Sequence, residues 1–594
     1  MRPLVLGYDA LKRPIRLDPE ARKIHMHVIG SSGSGKSKFL EWMIRGDLKN
    51  RQGLCLLDPH GTLYNDVVSF CGHKVLDREI ILLNPSSGGR VVGFNPFRKA
   101  GDGSVAVQVA GRIAATMHAW NVASTDQTPT LERTLRLIYT VMLDQDLALP
   151  QVQHLIDFNS GEIRGQLIDR LQTPLIQKEW RELQQLKSKD FRDEILSAKN
   201  RLFRLLSSPA VMRCMGVQGR TLDLRAVMDE GKVLLVNMAP SDDFSDEDAR
   251  LFGALLVNEF FECARRRQKD TFGRDPKPFY LYMDEFQNFI SPTIAKALAE
   301  SRKFGLFAVL AHQYLEQLDE KLVAATLTNC RIKAVFGGLT ATSARLMAEE
   351  LFINKLDPQK IKVAIYQTKF WPKEETRQVR THSTSHSSSS GWSESSASGS
   401  SSASTTGEFF GPEQWFGAGS SMGTSAGRSS GDSFTSGSGS SGSDSYGDSE
   451  SIADIPVFVP VPFRELSSVQ YFSLEEQLTQ LTAALKEQYA RHCFIKLPGR
   501  DTEPMLVPKV EQFYTSSKNL RFYEDKLLTQ NNALPAAEVD QLIAAQETAL
   551  LQAAGLVIDL IPEPESVPEP LQAPPERKPT PSKKNLFDDL LGNG

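Results

Sequence analysis

The residues most capable of chemistry form one short run, Gly30-Ser31-Ser32-Gly33-Ser34-Gly35-Lys36-Ser37, an unbroken match to GxxxxGK[ST]. Small residues let successive backbone N–H groups curl around an anion, and a helix starting where the loop ends adds positive partial charge. Lys36 suits the β- and γ-oxygens of a triphosphate, and the Ser37 hydroxyl suits Mg²⁺. The pattern predicts that Gly30 to Ser37 bind ATP with Mg²⁺. An acidic pair able to serve the same chemistry stands far along the chain, where the apolar run Phe279 to Met283 ends in Asp284-Glu285. Asp284 is expected in the outer shell of the metal, and Glu285 is expected to polarise an attacking water. Gln313 closes a further apolar run, GLFAVLAHQ, where its amide can bond both water and γ-phosphate. Arg302, in AESRKFGL just before that run, is a candidate for stabilising the charge of a transferred phosphoryl group. His60 and His312 border these segments and read as turn or packing residues.

Strands and helices must bring these groups together. The run KIHMHVI leads into the small-residue loop as a strand, and KSKFLEWMI leaves it as a helix. Short apolar runs recur at Ile24 to Ile29, Leu54 to Leu57, Ile80 to Leu83, Val233 to Val236, Phe279 to Met283, Leu306 to Leu310 and Ile332 to Phe336. Helical patterns separate them, so the expected fold class is α/β, with a mostly parallel sheet covered on both faces. Between about 104 and 229 strand-like runs vanish and apolar residues take helical spacing, as in LERTLRLIYTVML. That interval reads as an all-helical insertion, dividing the sheet domain into 1–103 and 230–380. From 381 to 451 serine and glycine dominate, and such a stretch buries too little apolar area to offset its chain entropy, so it reads as disordered. Phe409-Phe410 and Trp415-Phe416 interrupt it. Residues 452–560 are expected to pack on the sheet domain, and 561–594 form a proline-rich disordered tail ending in NLFDDLLGNG.

The chain has 594 residues, enough for three or four domains of roughly 150 residues. Its 68 basic and 72 acidic residues give a formal charge of −4, which excludes both a polycation and a wholly disordered acidic chain. No apolar run reaches the ~18–20 residues of a spanning helix. The first residues are broken by charge and proline, so no signal peptide or membrane anchor is read and the expected location is cytoplasmic. Six cysteines without a CxxC pair or a histidine at zinc-ligand spacing argue for buried thiols and against a metal framework.

Taken together, GSSGSGKS, GLCLLDPHG, GFNPF, GKVLLVNMAPS, YLYMDEFQNF and SRKFGLFAVLAHQYLEQL resemble the FtsK–HerA superfamily of hexameric DNA-pumping ATPases. Within it the chain is most similar to the coupling proteins of conjugation and to soluble, HerA-like relatives. The similarity covers about 20–345, with a weaker match at 455–515. It implies a RecA-like ATPase domain, a homo-hexamer acting on DNA, and an insertion placed like the all-α domain of coupling proteins. It also implies that Lys36, Ser37, Asp284 and Glu285 hold the phosphate, magnesium and catalytic positions and that Gln313 is the sensor glutamine. Arg302 matches an arginine that reaches a neighbouring subunit's nucleotide. Membrane coupling proteins carry transmembrane helices before the loop strand, whereas about twenty-three polar residues precede it here. The resemblance then implies peripheral attachment at an inner membrane through a partner, or none. A relaxase and secretion channel would be the partners in conjugation. A HerA-like helicase feeding a separate nuclease is an alternative, and an ATPase moving protein substrates or a nucleotide-gated scaffold is another.

Overall fold

The computed structural model describes residues 2–73, 78–87, 89–99, 104–122, 128–219, 221–267, 275–290, 292–387, 445–512, 516–531 and 533–554. It separates into two units, Met1–Pro358 with Ser473–Gly594, and Gln359–Phe472.

The first unit is built on strands β1 (Leu4–Tyr8), β2 (Pro14–Leu17), β3 (Met26–Ile29), β4 (Gly53–Asp58), β5 (Ile80–Leu83), β6 (Arg90–Val91), β7 (Val233–Asn237), β8 (Phe279–Met283), β9 (Leu306–His312) and β10 (Ile332–Phe336). The second contributes β11 (Ile361–Ser387) and β12 (Ser445–Tyr471), after which β13 (His492–Lys496), β14 (Glu503–Leu506) and β15 (Leu534–Pro535) return to the first. Eleven strands join one sheet in the order β2-β1-β14-β13-β10-β3-β9-β8-β4-β7-β5. From β10 to β5 every neighbouring pair is parallel. From β10 outward to β2 every pair is antiparallel. The seven apolar runs of the sequence are the seven parallel strands, as expected for strands buried on both faces.

Alternation along these strands divides the core. Leu57, Leu234, Leu281, Met283 and Leu310 face helices 105–119 and 246–265. Leu56, Leu235, Tyr280, Tyr282 and Val309 face helix α1 (Lys36–Lys49) and helix 62–73. Helices, and no strand, occupy the described residues between 104 and 219. Arg112 ties this insertion to the sheet domain through Glu259 at 2.8 Å, and the buried Trp180 Nε1–H donates to the Leu137 carbonyl at 3.2 Å. Residues 473–554 also belong to this unit: β13 and β14 widen the sheet, and Asp540 pairs with Arg213 at 2.9 Å. All six cysteines are free and buried. Among the described residues no helix is long and apolar enough to cross a membrane.

The second unit corrects the expected boundaries. Sheet-domain structure ends at Pro358, not at 380, and residues assigned to flexible chain or to packing on the sheet domain instead form a 27-residue antiparallel pair. The register runs from Ile361↔Tyr471 to Ser387↔Ser445. Proline and serine hid it. Pro372 lies opposite Pro460, and a residue without an N–H fits a ribbon only where no cross-strand bond is needed. Residues 388–444, with Phe409-Phe410 and Trp415-Phe416, and the tail from 555 onward lie outside the described residues.

Candidate nucleotide site

The loop Gly30 to Ser37 connects the carboxyl end of β3 to α1. Gly35 takes a left-handed backbone, φ 110°, at the cap of α1, which directs the chain from loop to helix. Lys36 is buried, and its Nζ donates to the Gly30 carbonyl at 2.5 Å and the Ser31 carbonyl at 3.4 Å. Burial lowers its pKa, against the opposing pull of Glu285 and Asp284. The Ser37 hydroxyl donates to Asp284 Oδ2 at 3.1 Å. Burial, with the charges of Asp58 and Glu285 nearby, pushes Asp284 up to about 6, while Lys36 and Ser37 hold it back. Residues 37 and 284 thus meet because β8 lies two strands from β3, across β9.

Glu285 is the residue after β8 and adopts a left-handed backbone, φ 47°, rare for a side chain of its kind. Its carboxylate is held at both oxygens: Gln313 Nε2 donates to Oε1 at 3.0 Å and Gln287 Nε2 donates to Oε2 at 2.9 Å. Gln313 reaches it because β9 ends one residue earlier, beside β8. Gln287 and Asp58 are additions to the residues read from the sequence. Asp58 ends β4 much as Asp284 ends the neighbouring β8, a parallel visible in the sequence. It is buried and accepts the N–H groups of His60 and Tyr64 at 2.9 and 2.8 Å. Gln287 carried no sequence signal, since only the 3₁₀ turn 286–288 folds it back on Glu285.

Two buried devices brace these strands. His27 of β3 and His312 of β9 lie with their Nε2 atoms 2.7 Å apart, and His312 Nδ1 is 3.1 Å from the Tyr314 carbonyl. Only one tautomer pattern satisfies both contacts: His312 donates from Nδ1, and His27 donates to His312 Nε2. His312 therefore does packing work, as read from the sequence. At the other end of α1, Arg22 donates to Asp47 Oδ2 at 2.8 Å and to the Tyr282 hydroxyl at 2.7 Å, tying the helix to β8.

Arg302 is not brought to the site within one chain. It lies at the amino end of β9, where its Nε donates to the Lys23 carbonyl at 3.3 Å. The phosphate loop is at the opposite ends of the strands, roughly 20 Å away at the rise of a strand. The basic run Arg265-Arg266-Arg267, which as a charge run at a helix end would be expected to face solvent, is partly buried. Arg267 is 3% exposed and bonds Asp229 together with the carbonyls of Met228, Lys277, Phe304 and Gly305. A cleft of about 890 Å³, lined by Ile81, Asn531, Leu534 and Val539 among others, lies by β5 at the edge of the sheet, away from the loop. Among the described residues no group of three His, Cys, Asp or Glu side chains could hold a metal by itself.

One family model matches part of this site. Residues 278–351, which carry Asp284, Glu285, Arg302 and Gln313, match the family model described as the TraM recognition site of TraD and TraG. The resemblance to coupling ATPases holds. Solved structures similar to this chain include the bacterial conjugative coupling protein TrwBdeltaN70 in an unbound monoclinic form, at 14% identity over 86% of this chain and 90% of that one, TM-score 0.47. The plasmid coupling protein TrwB in complex with ADP and Mg²⁺ gives 18% identity over 58% and 78%, TM-score 0.40. VirB4 of Thermoanaerobacter pseudethanolicus gives 13% over 58% and 87%, TM-score 0.36. No curated protein matches the sequence.

Proposed function

We propose that this chain is a Mg²⁺-dependent ATPase that pumps DNA through a homo-hexameric ring, in the manner of a conjugative coupling protein. The observation that carries the reading is the convergence of three segments: Ser37 on Asp284 and Gln313 on Glu285, beside the buried Lys36. The donor set fits the ligands. Ser37 and Asp284 offer the hard oxygens that Mg²⁺ prefers, and among the described residues too few other ligands surround them for an all-protein cage. Mg²⁺, when bound, would neutralise charge on the phosphate oxygens. Lys36, now turned to the loop carbonyls, exchanges these for phosphate oxygens. Glu285 accepts from the attacking water and takes its proton, oriented by two amides. Gln313 bonds both Glu285 and the neighbourhood of the γ-phosphate, so its position differs before and after cleavage. Arg302, distant within its own chain, serves the adjoining subunit's site. The match of 278–351 to a coupling-protein segment supports DNA transfer, with a relaxase and secretion channel as partners.

Purified full-length protein should hydrolyse ATP only with Mg²⁺, and Lys36→Ala or Glu285→Gln should abolish turnover. DNA should raise the wild-type rate. Equal rates with and without DNA would refute translocation and leave the protein-pump or scaffold alternatives.

A further inference from the structure

A segment from the far end of the chain lies against the phosphate loop. In the turn before β13, the Arg491 N–H donates to the Ser34 carbonyl at 2.8 Å. A Cβ placed on Gly35 would stand 3.0 Å from Arg491 N, 3.1 Å from its Cα and 3.4 Å from its Cγ. The Arg491 side chain thus leaves its backbone alongside the loop residue that precedes Lys36. Its surroundings fix it there. The Arg491 carbonyl accepts Val507 N–H at 2.9 Å, Gly338 N–H donates to the Lys486 carbonyl at 2.9 Å, and Ser31 N–H donates to the Gly337 carbonyl at 3.1 Å. Arg491 also holds a left-handed backbone, φ 68°. Strain of this kind persists only where neighbours over-determine it, and it gathers at ligand sites. Arg22, Arg112 and Arg267 are each bonded to a carboxylate. The half-buried guanidinium of Arg491 makes no hydrogen bond or ion pair with the described residues.

We propose that Arg491 is a phosphate-binding residue of its own chain's nucleotide site, its guanidinium taking the α- and β-phosphates of the nucleotide held by Gly30 to Ser37. The inference rests on the nucleotide reading above. The α- and β-phosphates are chosen because Arg491 is anchored at Ser34 and Gly35, whereas the γ-phosphate side is marked by Glu285 and Gln313. ADP and ATP should therefore depend on it alike.

The test is calorimetric titration of full-length protein with ADP and Mg²⁺, and of the Glu285→Gln background with ATP. Arg491→Ala should raise both dissociation constants about 10- to 100-fold, the worth of a hydrogen bond to a charged group. Arg491→Lys should recover part of the loss. Arg491→Gly accepts the left-handed backbone without strain, so the same loss in that variant excludes backbone distortion as its cause. The Ser34 contact is made by backbone and survives all three changes, so melting temperatures without nucleotide should stay within a few degrees. Unchanged ADP affinity in Arg491→Gly, or a loss confined to ATP, overturns the proposal. Failure of folded wild-type protein to bind ADP would overturn the nucleotide reading itself.

Discussion

The two amides on Glu285 make a prediction that can be worked from distances. Each carboxylate oxygen accepts one side-chain amide, from Gln313 at 3.0 Å and from Gln287 at 2.9 Å. A hydrogen bond to a charged group is worth about 1.5–3 kcal/mol. If that energy holds the carboxylate where it meets the attacking water, Gln287→Ala should lower kcat about 10- to 100-fold. Gln313→Ala should fall in the same range. The double variant should lose less than the product of the two, because the second removal acts on a carboxylate already free to turn. ADP binding should be spared, since neither amide touches the loop and both stand on the γ-phosphate side. The assay is steady-state ATP turnover beside titration with a fluorescent ADP analogue. Wild-type kcat in Gln287→Ala would refute the clamp. So would a rise in the nucleotide dissociation constant as large as the fall in kcat.

Mixing Arg302→Ala subunits with Glu285→Gln subunits should restore part of the turnover if Arg302 serves a neighbour, and no recovery in rings shown to be mixed counts against that role. Gly338→Ala puts a Cβ 2.0 Å from Ser31 Oγ on a backbone with φ 77°, so it should weaken nucleotide binding as well as lower the melting temperature. Gly499→Ala, with φ 72° and nothing within 4 Å, should cost only the left-handed strain of about 1–2 kcal/mol and leave binding intact. Equal binding by both variants would show that the Ser31 contact is not transmitted to the loop. Burial holds His25 at about 4, His312 at about 3 and His27 well below the ordinary imidazole range. The unfolded chain takes up these protons first, so stability should fall as pH drops from about 6.5 towards 4, by up to about 4 kcal/mol per pH unit for the three. Asp284, raised to about 6, and Glu41, Asp58, Glu262 and Glu524, raised by burial, take up protons in the native state as pH falls and offset part of this loss. Imidazole resonances of His25, His27 and His312 that titrate near 6.5 in the folded protein would contradict the burial of these rings.

Sequence reading located what depends on local composition. The seven parallel strands were legible because burial on both faces leaves each as an unbroken apolar run. Strands β1, β2, β13 and β14 were not, since antiparallel strands mix polar and apolar residues, as in HCFIK and PIRL. The ribbon β11–β12 was hidden for a related reason: its strands carry serines and prolines, and their pairing is made by backbone groups that composition does not record. At the site, Lys36, Ser37, Asp284, Glu285 and Gln313 each stand at a strand end or helix start that the apolar pattern marks. Gln287 and Arg491 act through a turn and a long-range contact for which spacing offers no measure. The burial of Arg267 was not legible because four of its acceptors are backbone carbonyls from three separate segments, which no charge pattern displays.

Tyr8 sits opposite Leu506, and Lys333 opposite Lys496. A ribosome adding about 5–20 residues per second needs roughly 25–100 s to deliver the partner of the first strand. β10 is finished about 160 residues before Lys496, so for roughly 8–32 s it has an open hydrogen-bonding edge, the kind that invites pairing with another chain. Nascent protein should therefore be most vulnerable to misassembly late in translation. A fragment ending before Tyr489 would keep the phosphate loop yet lack both the strand that covers β10 and the turn that lies against the loop.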